Sequence, residues 1–407
     1  MAERNKYLIP GIALLIGLVV GGLGGYFSAS AILGPGGVQT DTLKAGFIYV
    51  GPIGDIGWTH AHEQARLYLE QKFDWFDSEY AELVPEAQTG SYIDNFIANG
   101  ADVVFTTSFG YMDYTQTSAT SHPDKLFFHC SGYKRSPNMG TYFAEFHQLY
   151  FLNGMLAGAL TKTDHIGYVA AFLIPEVVRH LNAFILGARY VNPSVTLHVR
   201  VINAWFDPTA ARLAAQSMVS TDNVDVLAFT EDSSSIVEYA QNQVDIGNNT
   251  LYAFAHYSPM LEFGHNVTVS GQLVRWEVIY EDILSKVYAG AYNTTNLGDV
   301  DYWWMLKEKA VELGADFGVP INPVYQTELE AISAKDPITN ATTNVYDLVL
   351  ALNDYMATER VLFEPFTGPI NLQNGSLWLG DGVRATGMDI LGMDFYLEGV
   401  DPLAPAI

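Results

Sequence analysis

Cysteine occurs once in this 407-residue chain, at Cys130. A single thiol excludes an internal disulfide framework and any multi-cysteine metal cluster. Cations are scarce as well: 20 Lys and Arg stand against 45 Asp and Glu, a formal net charge of −25. A duplex-binding protein needs a basic face to displace counterions, so no nucleic-acid partner is expected. The same field repels phosphate esters, and a neutral or cationic small ligand suits it better. No Gly-x-x-x-x-Gly-Lys-Ser/Thr loop is present, which removes the usual cradle for ATP hydrolysis. His62 and Glu63 begin a His-Glu-x-x-His pattern, but its last position is Arg66. His60 and His62 point to different faces of a helix, so no metal site is expected there. Ser108 lacks the flanking glycines of a nucleophile elbow. Nothing marks an enzyme or a cofactor, and a binding protein is expected.

Charge is also missing between Lys6 and Asp41. Tyr7 to Leu33 is almost wholly apolar or small, long enough to cross a bilayer core as a helix. Cations precede it and acids follow, which orients the bulk of the chain outside the cell. Residues 1–33 therefore read as a membrane anchor. Ala29-Ser30-Ala31 has the form of a signal peptidase site, so cleavage is the alternative. Residues 34–43 form a short tether rich in Gly and small polar residues. Asn248, Asn266, Asn293, Asn340 and Asn374 each open an Asn-x-Ser/Thr triplet, as suits an exported glycoprotein.

The body alternates short apolar runs with helical stretches. Ala45–Val50, Ala101–Thr107, Lys125–Cys130, Ile166–Ala171, Leu197–Ala204, Val224–Thr230 and Leu251–Ala255 read as buried strands. Helices are expected over His60–Gln71, Thr141–Thr161, Pro175–Tyr190, Asp207–Ser220 and Ile236–Gln243. This alternation predicts an α/β fold with two successive open parallel sheets. Ligands of such sheets sit beyond the carboxyl ends of the strands. That rule selects loops carrying Asp55, Trp58, Phe109, Tyr111, Asp113, Trp205 and Asp232. Flat aromatics stack on planar rings and carboxylates accept N–H or O–H donors, which together suit a nucleoside, a nucleobase or a sugar. Several of these residues also have a structural reading. Asp55 sits in a glycine-rich turn, Asp113 and Asp232 precede helices as N-caps, and Trp58 and Trp205 can cap apolar cores.

Phe47–Thr59 (FIYVGPIGDIGWT) closely resembles the opening of the basic membrane protein, or PnrA-like, substrate-binding proteins of ABC transporters. The likeness continues through Thr106–Asp113 (TTSFGYMD), Gly132–Lys134 (GYK), Pro137–Met139, Thr141–Phe143, Ile166–Phe172 (IGYVAAF), Ile174–Val177 (IPEV), Trp205–Pro208 (WFDP), Phe363–Ile370 (FEPFTGPI) and Met393–Val400 (MDFYLEGV). The resemblance implies a type I periplasmic-binding fold: two lobes, three crossovers and a cleft that closes by hinge motion. It implies a first lobe over 44–138, completed by about 270–300, and a second over 139–269, completed by about 301–400. It implies a purine nucleoside or base as ligand and an ABC permease as partner. Asp55, Trp58, Phe109, Tyr111 and Asp113 would line one side of the cleft, with Trp205 and Asp232 facing them. Two positions depart from the family pattern. Tyr257 stands where relatives carry an aspartate in Gly-Tyr-Asp-Ser-Asp-Met, and Arg275 lies where they carry Trp-Asn-Trp. Both join the candidate ligand-binding residues. A surface or filament-forming protein that self-assembles on the same scaffold is the competing reading.

Overall fold

In Leu43–Ile48 (β1), Ala45 to Ile48 is a continuous apolar run buried on both faces, as a strand inside a parallel sheet must be. It pairs in parallel with Phe76–Ala81 (β2) on one side and Val103–Thr106 (β3) on the other. Leu126–Cys130 (β4), Met139–Ala144 (β5) and Asp301–Trp304 (β11) extend this sheet, also in parallel. Its strand order is β11-β5-β4-β3-β1-β2. Helices Trp58–Lys72 (α1), Thr89–Ala98 (α2) and Met112–Ser121 (α3) connect its strands. The computed structural model describes residues 42–247, 250–359 and 363–407. The expected anchor over 1–33, the tether to residue 41 and the triplet at Asn248 lie outside them. No helix among the described residues is long and apolar enough to cross a membrane.

A second sheet is built from His165–Ala170 (β6), Thr196–Val201 (β7), Val226–Thr230 (β8), Tyr252–Tyr257 (β9), Thr268–Val274 (β10) and Val311–Leu313 (β12). Its order is β12-β10-β9-β8-β6-β7, and only β12 runs antiparallel to its neighbour. His147–Leu160 (α4), Pro175–Val191 (α5), Pro208–Thr221 (α6) and Ser235–Asp245 (α7) belong to this lobe. α4 and α5 pack backbone to backbone: a Cβ on Gly154 would collide with the Phe184 carbonyl, and one on Gly187 with the Phe151 carbonyl. Residues after β12 wrap this lobe, and Val400 bridges Leu197 beside the β7 edge.

The chain crosses between the sheets three times: through Glu145–Phe146 after β5, through Arg275 after β10, and between β11 and β12. Trp276–Tyr288 (α8) returns to the first lobe and packs on α1. The first crossover therefore follows residue 144 rather than 138. The helix expected over 141–161 is a strand and then a helix. MGTYFA is short and apolar, a pattern that periodicity alone does not separate from a buried helix. The second sheet likewise runs on to Val274, so α8 and β11 complete the first lobe over 276–304. Four strands of the two sheets, β2, β10, β11 and β12, were not expected at all. β2 is a half-exposed edge with the polar sequence FDSEYA, and β10 buries Ser270 and Gln272 among its apolar residues.

Candidate functional site

The carboxyl ends of both sheets face each other across a pocket of about 310 Å³, counted with its mouth. Val50, Trp58, Ser108, Phe109 and Ser131 line it from the first lobe, and Glu176, Trp205, Asp232 and Tyr257 from the second. Each follows the end of a strand: β1, β3 and β4 on one side, β6, β7, β8 and β9 on the other. This is where open parallel sheets place ligands.

The lobes touch around the pocket. Ser131 Oγ donates to Glu176 across the cleft at 2.6 Å. Gly57 lies so close to the Asp232 backbone that a Cβ there would stand 2.6 Å from the Asp232 Cα. Asp232 reaches the start of α1, where it accepts the Trp58 backbone N–H. A helix N-terminus favours that negative charge. The other carboxylate oxygen, Oδ1, is buried without a partner. Burial, and then the charges of Asp55 and Glu231, hold the Asp232 carboxyl well above its ordinary range. Burial also raises Glu231, whose Oε2 is unpartnered, and Glu176, on which Arg179 acts in the opposite direction. Among the described residues, no lysine or arginine lines the pocket. A site of this kind accepts hydrogen bonds between aromatic walls, and it disfavours anions.

Five of the nine expected ligand residues meet here: Trp58, Phe109, Trp205, Asp232 and Tyr257. Trp58 is packed edge-on against Tyr257, Trp276 and His62, with ring centroids 4.8–5.1 Å apart. The other four do not line the pocket. Asp55 is spent on backbone: its carboxylate accepts the N–H groups of Gly57, Thr59 and His60 at 2.8–3.0 Å and so caps α1. Tyr111 turns into the first-lobe core, where its hydroxyl donates to the Val84 carbonyl at 2.7 Å. Asp113 is exposed on α3 and pairs with Lys134 at 2.6 Å. Arg275 sits at the second crossover, paired with Glu312 at 2.7 Å and stacked over Phe317 at 4.2 Å.

The model of the family "ABC transporter substrate-binding protein PnrA-like" matches residues 42–347. The chain is 33% identical over 379 residues to a purine-binding protein of Brucella abortus, covering 93% of this chain and 98% of that protein. The chain belongs to the PnrA-like family of ABC transporter substrate-binding proteins. A second relative, a putative ABC transporter glucose-binding protein of Haloferax volcanii, is 34% identical over 313 residues, 77% of this chain and 76% of that one. In fold, the chain matches a solute-binding protein of an ABC transporter system from Aeropyrum pernix with a TM-score of 0.64 at 15% identity, covering 79% of this chain and 93% of that one. Substrate-binding proteins of this class hold a small molecule outside the cytoplasm for a membrane permease.

For a PnrA-like protein, the residues that sequence reasoning missed are informative. Val50, Ser108, Ser131 and Glu176 all follow strand ends, so the rule that found the aromatics covers them too. Glu176 sits in the first turn of α5 behind Pro175, within the IPEV string that carries the resemblance. Of the four triplet asparagines among the described residues, Asn266, Asn340 and Asn374 are exposed and Asn293 is half-buried. Asn293 and Asn374 already accept the hydroxyl of their own Thr295 and Ser376 at 2.7 Å.

Proposed function

We propose that this PnrA-like protein captures a purine base or nucleoside between its lobes and delivers it to an ABC permease, held to the membrane through residues 1–33. The observation that carries the reading is the unpartnered Asp232 Oδ1, buried in a pocket walled by Trp58, Phe109 and Trp205. A purine supplies what each part lacks: a flat face for the aromatics and ring or exocyclic N–H donors for the carboxylates. Stacking of a base on an aromatic side chain is worth about 1–3 kcal/mol. A hydrogen bond to a charged acceptor adds roughly 1.5–3 kcal/mol. The Brucella relative, aligned over nearly its whole length, supports the same ligand class.

The Haloferax relative favours a second reading, a hexose. Carboxylates accept sugar hydroxyls, and aromatic rings pack on sugar faces as they do on bases. Calorimetric titration with adenine, guanine, adenosine, guanosine, inosine and glucose separates the two. Binding of one purine compound at a Kd of micromolar or below, with glucose silent, is the expected result. Heat with glucose alone overturns the purine reading.

A further inference from the structure

The geometry points to a second binding site on the flank of the cleft, one built to hold a small alkylammonium ion such as a diamine. It lies apart from the Trp58–Trp205 pocket and does not depend on the purine reading. A cavity of about 370 Å³ opens beside the second crossover, within the ~300–1,000 Å³ spanned by small-molecule sites. His60 and Gln64 enter it from α1, four residues apart and so on one stripe of that helix. Ser258 and Glu262 follow the end of β9 in the second lobe. Glu277 stands in the first turn of α8, just past the crossover. An occupant therefore touches both lobes and the hinge between them.

The polar groups facing this space accept hydrogen bonds. His60 Nδ1 donates to the Ile53 carbonyl at 3.1 Å, which leaves Nε2 as an acceptor. Glu262 is exposed and pairs with no cation among the described residues. Glu277 is half-buried, and its Arg275 partner stands off at 3.4 Å because that guanidinium is bonded twice to Glu312, at 2.7 and 2.9 Å. Burial holds the Glu277 carboxyl above its ordinary range even so. Ser258 is only 5% exposed, and its hydroxyl has no partner among the described residues. A buried polar group left unpaired is a cost that a donor from a ligand removes. Among the described residues, no lysine or arginine lines the cavity. An ammonium group brings three donors and the charge that the two carboxylates lack. Ala61, Ala65 and Val274 supply apolar wall for the methylenes between two such groups. The net charge of −25 draws cations to the surface and repels anions.

The full chain, purified in detergent, is titrated calorimetrically with the diamine putrescine in about 0.15 M salt, where loose surface pairing is screened. Butanediol, an uncharged chain of the same length, is the control ligand. Putrescine is expected to bind saturably and at least about tenfold tighter than butanediol. Glu262→Gln and Glu277→Gln should each weaken it at least about tenfold, the loss of one charge-assisted hydrogen bond. Asp381→Asn takes a charge from an exposed turn of the C-terminal wrap and should leave the affinity within about twofold. Should Glu277→Gln fail to fold, Glu262→Gln, in an exposed turn, decides alone. No saturable heat with putrescine overturns the site. So does affinity undiminished in Glu262→Gln, or an equal loss in Asp381→Asn, which would reduce the binding to the overall field. Butanediol bound as tightly as putrescine overturns the cation assignment.

Discussion

Gly57→Ala should block closure of the cleft while leaving both lobes folded. Gly57 precedes the first residue of α1 and faces Asp232 of the other lobe. A methyl there would stand 2.6 Å from the Asp232 Cα, 2.8 Å from its Cβ and 2.9 Å from its carbonyl carbon. Ordinary contact begins at 3.4 Å, so the lobes must part by about 0.8 Å at this point. Asp232 cannot simply give way, because its backbone N–H is bonded to the Trp205 carbonyl at 2.8 Å. A radial gap of 0.5–1 Å forfeits about a quarter to a half of each dispersion contact across the cleft. It also stretches the Ser131–Glu176 hydrogen bond, now 2.6 Å, towards its limit. Together these losses amount to roughly 1–3 kcal/mol of binding, or a Kd raised about 5- to 150-fold. The assay is calorimetric titration with the purine the wild type binds, alongside small-angle scattering with and without it. Gly54→Ala is the control, since a Cβ at Gly54 meets nothing within 4 Å. The unliganded protein should lose roughly 0.5–1 kcal/mol of stability, since glycine is preferred over alanine at an N-cap. Affinity within twofold of wild type, with ligand-induced compaction intact, would refute the claim that Gly57 is a point of lobe contact in the bound state.

Three further outcomes can be measured. Trp58→Ala should weaken purine binding by about 1–3 kcal/mol in calorimetry while the chain still unfolds cooperatively; unchanged affinity removes Trp58 from the site. Asp232→Asn should weaken it by roughly 1.5–3 kcal/mol yet flatten the loss of unliganded stability as pH rises. The sign follows from burial and the Asp55 charge: a raised folded pKa means the native state binds more protons, so stability falls with rising pH until the folded pKa is passed. His147 carries the opposite kind of group. Burial opposes its charge, but Glu364 and the hydrogen bonds to Glu145 and Glu364 raise its pKa from 6.5 to about 10. Its contribution is complete below pH 6.5 and is lost as pH rises through about 10. Melting temperatures should therefore drop more steeply between those limits in the wild type than in His147→Gln, and parallel curves would contradict the assignment.

Most of the strands buried on both faces were legible in the sequence. β1, β3, β4, β6, β8 and β9 are apolar runs that no surface element could expose. β2 was hidden because an edge strand keeps polar residues, and β5 because α4 follows it after two residues. The aromatics of the site were legible through the strand-end rule. Direction was not. Tyr111 lies only two residues beyond Phe109, yet a turn of 3₁₀ helix sends Phe109 to the pocket and Tyr111 to the core. Asp55 had the right address, but its oxygens are consumed by three N–H groups of its own loop and helix. The partners of Arg275 depend on β12, 37 residues away, which no local pattern announces.

The two aspartates at the cleft explain why occupancy and closure belong together. Asp55 is satisfied within its own lobe by the start of α1. Asp232 meets the same helix start only when the lobes are shut, and then it is buried beside Asp55 and Glu231 with one oxygen unpaired. Leaving a buried polar group unpaired costs roughly 1–3 kcal/mol, and more when it is charged. An empty cleft can shut only by bearing that cost or by taking up a proton. A ligand that donates to Oδ1 removes it, and a ligand shifts an equilibrium only by its differential affinity for the two states. The closed form is thus favoured when a donor-bearing molecule lies between Trp58 and Trp205. A molecule without a donor, such as a purely aromatic ring of the same size, would stack in the pocket but leave the oxygen unpaired. It should bind weakly and fail to compact the protein in scattering.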